Sequence, residues 1–108
     1  MVKKIYIAKV YFTSMTDYKE RPVLIIKEYE KNDIIYLPLT TSFKKKGIAI
    51  TDEDLEKGYL VQKAVVIPTK LGILSKNLSI KEVGMLKDSS YEKIMKNVCN
   101  FFDCKKYL

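Results

Sequence analysis

Arg21 opens an apolar run, Arg21-Pro22-Val23-Leu24-Ile25-Ile26, and a second apolar run, Ile34 to Leu39, closes in Thr40-Thr41-Ser42. A guanidinium carries a fork of donors that matches phosphate oxygens, and it stays charged at any physiological pH. Hydroxyls donate to the same oxygens. A cation and a hydroxyl cluster at the mouths of two strands therefore make a phosphate-holding pair, provided the fold brings them together. The chain has no histidine, so acid–base work by imidazole is excluded.

Phosphodiester cleavage in RNA is one chemistry that dispenses with imidazole. The nucleophile is the ribose 2′-hydroxyl. The protein must orient it, stabilise charge on a pentavalent phosphorus and move two protons. Arg21 and Thr40 are the residues for this, and no metal is required. Each also has an ordinary structural reading: Arg21 as an ion pair with Asp17 or Glu20, Thr40 as a strand-end hydroxyl capping a turn. The polar segment from Ser14 to Glu20 offers Asp17 or Glu20 as proton acceptor. Lys44, Lys45 and Lys46 form a basic loop that either tracks a phosphate backbone or is simply solvated. Tyr18 and Phe43 fall in expected loops, where aromatic rings stack on unpaired bases. Tyr11 and Phe12 divide between core and surface.

These residues need strands to hold them. Ile5 to Phe12 is rich in β-branched and aromatic residues, as a strand should be. Val23 to Ile26, apolar without alternation, reads as a central strand. Ile34 to Thr40 is the next, with Pro38 marking its far end as an edge or bulge. Ile48 to Ile50 is a short strand, and Thr51 to Gly58 an acidic turn ended by glycine. Tyr59 to Val61 and Ala64 to Pro68 make a strand pair or one bent strand. Ser79-Ile-Lys-Glu82 and Ser89-Ser-Tyr-Glu92 both match the capping box that starts a helix. The first helix is short because Gly84 interrupts it. The second runs from Ser90 to about Phe102, with Tyr91, Ile94, Val98 and Phe101 on one stripe. Many short strands without βαβ alternation, then one amphipathic helix, describe a mainly β fold: a small curled barrel.

The chain has 108 residues, 47% of them hydrophobic. That fits one domain, residues 1–108, with a real core. Twenty Lys and Arg against thirteen Asp and Glu leave a net charge of +7, which suits a nucleic acid or an acidic protein partner, or a merely lysine-rich surface. Cys99 and Cys104 are the only cysteines. With no further soft ligand they exclude a zinc site; they read as reduced thiols, with a disulfide the alternative. No apolar run is long enough to cross a membrane, and no signal peptide opens the chain. A cytoplasmic protein is expected.

Four segments in order resemble the MazF/PemK family of toxin endoribonucleases. They are Arg21-Pro-Val-Leu-Ile-Ile; Ile35-Tyr-Leu-Pro-Leu-Thr40-Thr41-Ser42; Gly58-Tyr-Leu-Val-Gln62-Lys63-Ala-Val; and Leu78-Ser-Ile-Lys-Glu-Val-Gly-Met-Leu. The resemblance spans about Ile5 to Phe102. It implies an SH3-like small barrel of the MazF/CcdB type with a C-terminal amphipathic helix, usually a homodimer. It implies the toxin of a toxin–antitoxin system, cleaving single-stranded RNA at short sequences without metal or cofactor and leaving a 2′,3′-cyclic phosphate. The family's catalytic arginine and threonine fall on Arg21 and Thr40. Thr41, Ser42, Gln62 and Lys70 join Asp17, Tyr18, Glu20, Phe43 and Lys44 to Lys46 as expected substrate-binding residues. Lys70 is the nearest cation where many members carry an arginine. The partner implied is an antitoxin with an acidic and apolar segment that covers the RNA groove. The alternative is a non-catalytic barrel that binds RNA or a protein, including a gyrase poison like the CcdB toxins.

Overall fold

The computed structural model describes residues 1–11, 17–42, 44, 46–60 and 62–108. Eight strands pair antiparallel: β1 (Lys4–Tyr11), β2 (Tyr18–Tyr29), β3 (Asp33–Thr40), β4 (Ile48–Ile50), β5 (Leu55–Gly58), β6 (Ala64–Val66), β7 (Gly72–Ser75) and β8 (Ser79–Leu86). One helix, α1 (Asp88–Phe101), follows. The sheet runs β4-β6-β3-β2-β1-β8-β5, with β7 also on β3. It curls into a half-barrel, and its bends have local causes. Register shifts interrupt β1 against β8, β2 against β3 and β5 against β8, and each such bulge adds twist.

Val23, Leu24 and Ile25 are all fully buried, which is what an unalternating apolar run requires of a central strand. Leu24 joins a core with Leu37, Leu39, Ile50, Leu86 and, from the helix, Ile94 and Val98. Val23 and Ile25 face a smaller core with Ala8, Ile34 and Leu74. The sheet is thus buried on both faces where β2 crosses it, and this fixes the strand that carries Arg21.

Pro38 sits inside a doubly paired strand, not at an edge. Asp33 to Tyr36 pair with β7, whereas Leu39 and Thr40 pair with β6. Pro38 lies between the two partners, where its missing N–H costs no ladder bond. Its carbonyl still accepts the Ile67 N–H at 3.0 Å.

The two expected capping boxes are absent. Ser79 to Glu82 lies in β8, paired with β1. Gly84, read as a helix interruption, instead lets β8 approach β5: a Cβ there would fall 2.5 Å from the Lys57 carbonyl oxygen. Helix α1 begins after Lys87 with no side-chain cap. Ser89, the expected cap, lies within its first turn, and Ser90 donates to Asp54 Oδ1 at 2.8 Å. The capping box that does form is Thr51 with Asp54, around a single 3₁₀ turn, and Leu55 to Gly58 then continues as strand. On α1, Ile94 and Val98 are buried and Tyr91 packs beside them, but Phe101 is 52% exposed, edge-on to Phe102.

Candidate active site

Val23 pairs with Pro38 in the β2–β3 ladder. That pair ends the ladder, and two residues beyond it on the two strands stand Arg21 and Thr40. Strand alternation puts both on the face of Val23 and Pro38. They line one groove of about 400 Å³, with Val10, Tyr36, Pro38 and Lys70 among its walls. Arg21 is exposed and Thr40 half-buried. Lys70 reaches the groove from the 3₁₀ turn Pro68–Lys70, held against α1 and β3.

The Thr40 hydroxyl is already oriented. Its Oγ1 accepts the Ser42 backbone N–H at 3.2 Å, a local turn typical of threonine. The hydroxyl hydrogen is left to donate into the groove. Tyr36 brings a second hydroxyl, which the sequence reading missed. Burial pushes its phenol up, so it stays protonated and able to donate near neutral pH. Its ring lies where a side chain on Gly72 would be, since a Cβ there would meet it at 2.7 Å. The signal was its spacing: Tyr36, Pro38 and Thr40 alternate onto one face of β3. The groove thus gathers two cations and two hydroxyls, and among the described residues lining it there is no carboxylate. Such a set matches the oxygens of a phosphate.

The other expected residues separate into three places. Thr41 and Gln62 line a neighbouring groove of about 540 Å³ with Tyr59, Lys81 and Glu82. It opens on the Pro22 side of β2, and Leu39 borders both grooves. Glu20 and Tyr18 alternate onto the face of β2 away from Arg21, opposite Lys9 and Tyr11. Tyr18 is in the strand, not in a loop. Its ring centroid is 5.4 Å from that of Tyr11, and Lys9 Nζ stands 4.9 Å over it. Both tyrosines are exposed. Asp17 is exposed immediately before β2, and Ser42, Lys44 and Lys46 are exposed beyond β3. Phe12, Phe43 and Lys45 lie outside the described residues.

Comparison with known proteins places this geometry. A family model described as PemK-like, MazF-like toxin of type II toxin–antitoxin system matches residues 3–102. Among curated protein sequences, none matches the chain. Solved structures share the fold. The Mycobacterium tuberculosis toxin MazF-mt6 superposes with a TM-score of 0.72 at 23% identity, over 93% of this chain and 96% of that one. An endoribonuclease from a mycobacterial species gives 0.69 at 14% identity, over 95% and 90%. A mycobacterial endoribonuclease in complex with its cognate antitoxin gives 0.69 at 14% identity, over 95% and 94%.

Proposed function

The chain belongs to the PemK-like, MazF-like family of type II toxin–antitoxin toxins, and from that premise we propose that it cleaves single-stranded RNA with Arg21 and Thr40. The observation that carries the proposal is that both line one groove, two residues beyond the Val23–Pro38 pair on their two strands.

The scissile phosphate sits between the two strands. The 2′-oxygen forms a bond to phosphorus and the bond to the 5′-oxygen breaks; water protonates the departing 5′-oxygen, leaving a 2′,3′-cyclic phosphate and a 5′-hydroxyl. Arg21 neutralises the charge that builds on the phosphoryl oxygens in between, and Thr40 donates to one of them. Lys70 and Tyr36 extend the donor set along the backbone. The donors bring all the positive charge this scheme needs, so it runs without a metal. Extending the alternation of β2 backwards sets Asp17, rather than Glu20, in step with Arg21; Asp17 does not line the groove, so it takes the 2′-hydroxyl proton through a bridging water. Glu20 remains a substrate contact on the opposite face with Tyr18, whose stack with Tyr11 offers a platform for an unpaired base. Thr41 and Gln62 read the adjoining nucleotides from the second groove.

The protein works as a homodimer in the cytoplasm, and an acidic antitoxin covers the groove. Its net charge of +7 favours such a partner. Among the described residues no helix is long and apolar enough to cross a membrane.

The experiment is cleavage of a long single-stranded RNA in EDTA by the wild type, Arg21→Ala and Thr40→Ala, with the folds compared by circular dichroism. Losing one preorganised donor costs about 10²–10³ in rate. Folded variants that cut at the wild-type rate would remove both residues from the mechanism.

A further inference from the structure

At the far end of α1 the chain reverses in a way that brings two thiols together. The helix ends at Phe101, and Phe102 caps it, its N–H donating to the carbonyl of Val98. Asp103 takes the left-handed conformation (φ 54°, ψ 42°), and its N–H donates to the Asn100 carbonyl at 3.2 Å. A left-handed residue just past the cap, bonded three residues back, folds the following residue onto the last helical turn. Its side chain then meets that of the residue three positions before the cap. Those two positions are Cys104 and Cys99. A second turn, Cys104–Tyr107, is closed by the Lys106 N–H on the Asp103 carbonyl at 3.0 Å, which keeps Cys104 in place.

Both cysteines line one hollow of about 310 Å³, with Lys105 and Lys106 on its wall. Cys99 is exposed and Cys104 half-buried. Contact with the Cys99 thiol is the largest cause holding the Cys104 thiol above its ordinary range, with burial next. This pair stands apart from the Arg21 groove, and the proposed cleavage makes no use of it.

We propose that Cys99 and Cys104 are a thiol-modification site, a dithiol that closes to an intramolecular disulfide by exchange with a small-molecule disulfide. The exposed Cys99 loses its proton to solvent, and its thiolate attacks one sulfur of the small disulfide. A mixed disulfide forms and one small thiolate leaves. Cys104 then gives up its proton, and its thiolate attacks the Cys99 sulfur and expels the second small thiolate. Two electrons pass from the cysteine pair to the small disulfide, and the two protons end on the released thiols. The helix end sets both thiols on one hollow, and a disulfide needs its two residues as neighbours.

Full-length protein is incubated with oxidised glutathione, in buffer and in urea, and intact masses are recorded with thiol titration. In buffer, titratable thiols fall from two per chain to none, with a mass lower by two hydrogens and no retained glutathione. Cys99→Ser and Cys104→Ser each retain one glutathione. In urea the internal disulfide forms to a smaller extent, because the helix end no longer holds the pair. A wild type that keeps one or two glutathiones, or that links chain to chain, overturns the proposal. So does an equal yield of internal disulfide in buffer and in urea.

Discussion

Tyr91 on the helix donates its hydroxyl to the carbonyl of Ile26 in β2 at 3.1 Å. Ile26 is the extra residue where the β2–β3 register shifts, so its backbone is freed from the ladder and the helix takes it up. This contact ties α1 to the strand that carries Arg21, and burial pushes the Tyr91 phenol up. Tyr91→Phe keeps the ring and removes the bond. An intramolecular hydrogen bond contributes about 1 kcal/mol, and an orphaned carbonyl costs up to about 3. Urea unfolding of the variant is expected to show a loss in that range with an unchanged slope.

Ser42 has two separable roles. Its backbone N–H orients the Thr40 hydroxyl, while its side chain is exposed and free to touch RNA. Ser42→Ala keeps the N–H and is expected to raise KM with kcat unchanged. Ser42→Pro removes the N–H and is expected to lower kcat, towards the loss of about 10²–10³ seen when a donor disappears altogether. Steady-state cleavage of a short fluorogenic RNA separates the two.

Lys44, Lys45 and Lys46 are expected to add RNA affinity without sequence choice, because phosphate contacts carry no base information. Single-strand binding weakens with salt at a slope of about −0.7 per phosphate neutralised. Changing all three to Gln is expected to flatten the slope by up to roughly two units and leave the cleaved sequence unchanged. Fluorescence anisotropy across a salt series checks the first, and mapping of cleaved ends the second.

Two cross-sheet pairs set the acid behaviour. Lys4 holds Glu82 below the usual carboxylate range at 3.1 Å, with Tyr6 also donating to it. Lys76 does the same for Glu28 at 2.9 Å. A carboxylate lowered in the folded state stabilises the fold above its unfolded pKa, near 4.3 for glutamate. That contribution fades as pH falls through the lower, folded value. The Glu28→Gln, Glu82→Gln double variant is therefore expected to lose less stability than the wild type between neutral pH and pH ~3. Denaturant midpoints at the two pH values test it.

The strands that carry Arg21 and Thr40 were legible in the sequence because their cores are encoded locally. Val23 to Ile25 and Ile34 to Leu39 are long β-branched and aliphatic runs, and their burial follows from composition. Ser79 to Glu82 was misread because Ser-x-x-Glu fits a strand as well as a helix start. Pairing with β1 decides between them, and Glu82 meets Lys4 and Tyr6 there instead of a backbone N–H. Ser89, the expected cap, falls inside the first turn of α1, and its neighbour Ser90 bonds Asp54, a partner 36 residues away that no local pattern announces. Phe101 kept the helical period but reaches the end of α1, where the sheet no longer covers it. In the site, Thr40 does end β3, but Arg21, read as the mouth of a strand, lies inside β2, which begins at Tyr18; that both line one groove was not legible. Tyr36 was not singled out; it lines the groove with its ring packed over Gly72.

The central claim is that the RNA supplies the nucleophile and the Arg21–Thr40 groove stabilises the phosphorane. The most direct measurement uses a short RNA containing one cleavage site, with and without a single 2′-deoxy substitution on the nucleotide 5′ to the scissile bond, in EDTA. The account predicts that the all-ribose strand is cut to a 2′,3′-cyclic phosphate and that the substituted strand is bound with similar affinity but left intact. Cleavage of the substituted strand at a comparable rate, or ends lacking the cyclic phosphate from the outset, would contradict it.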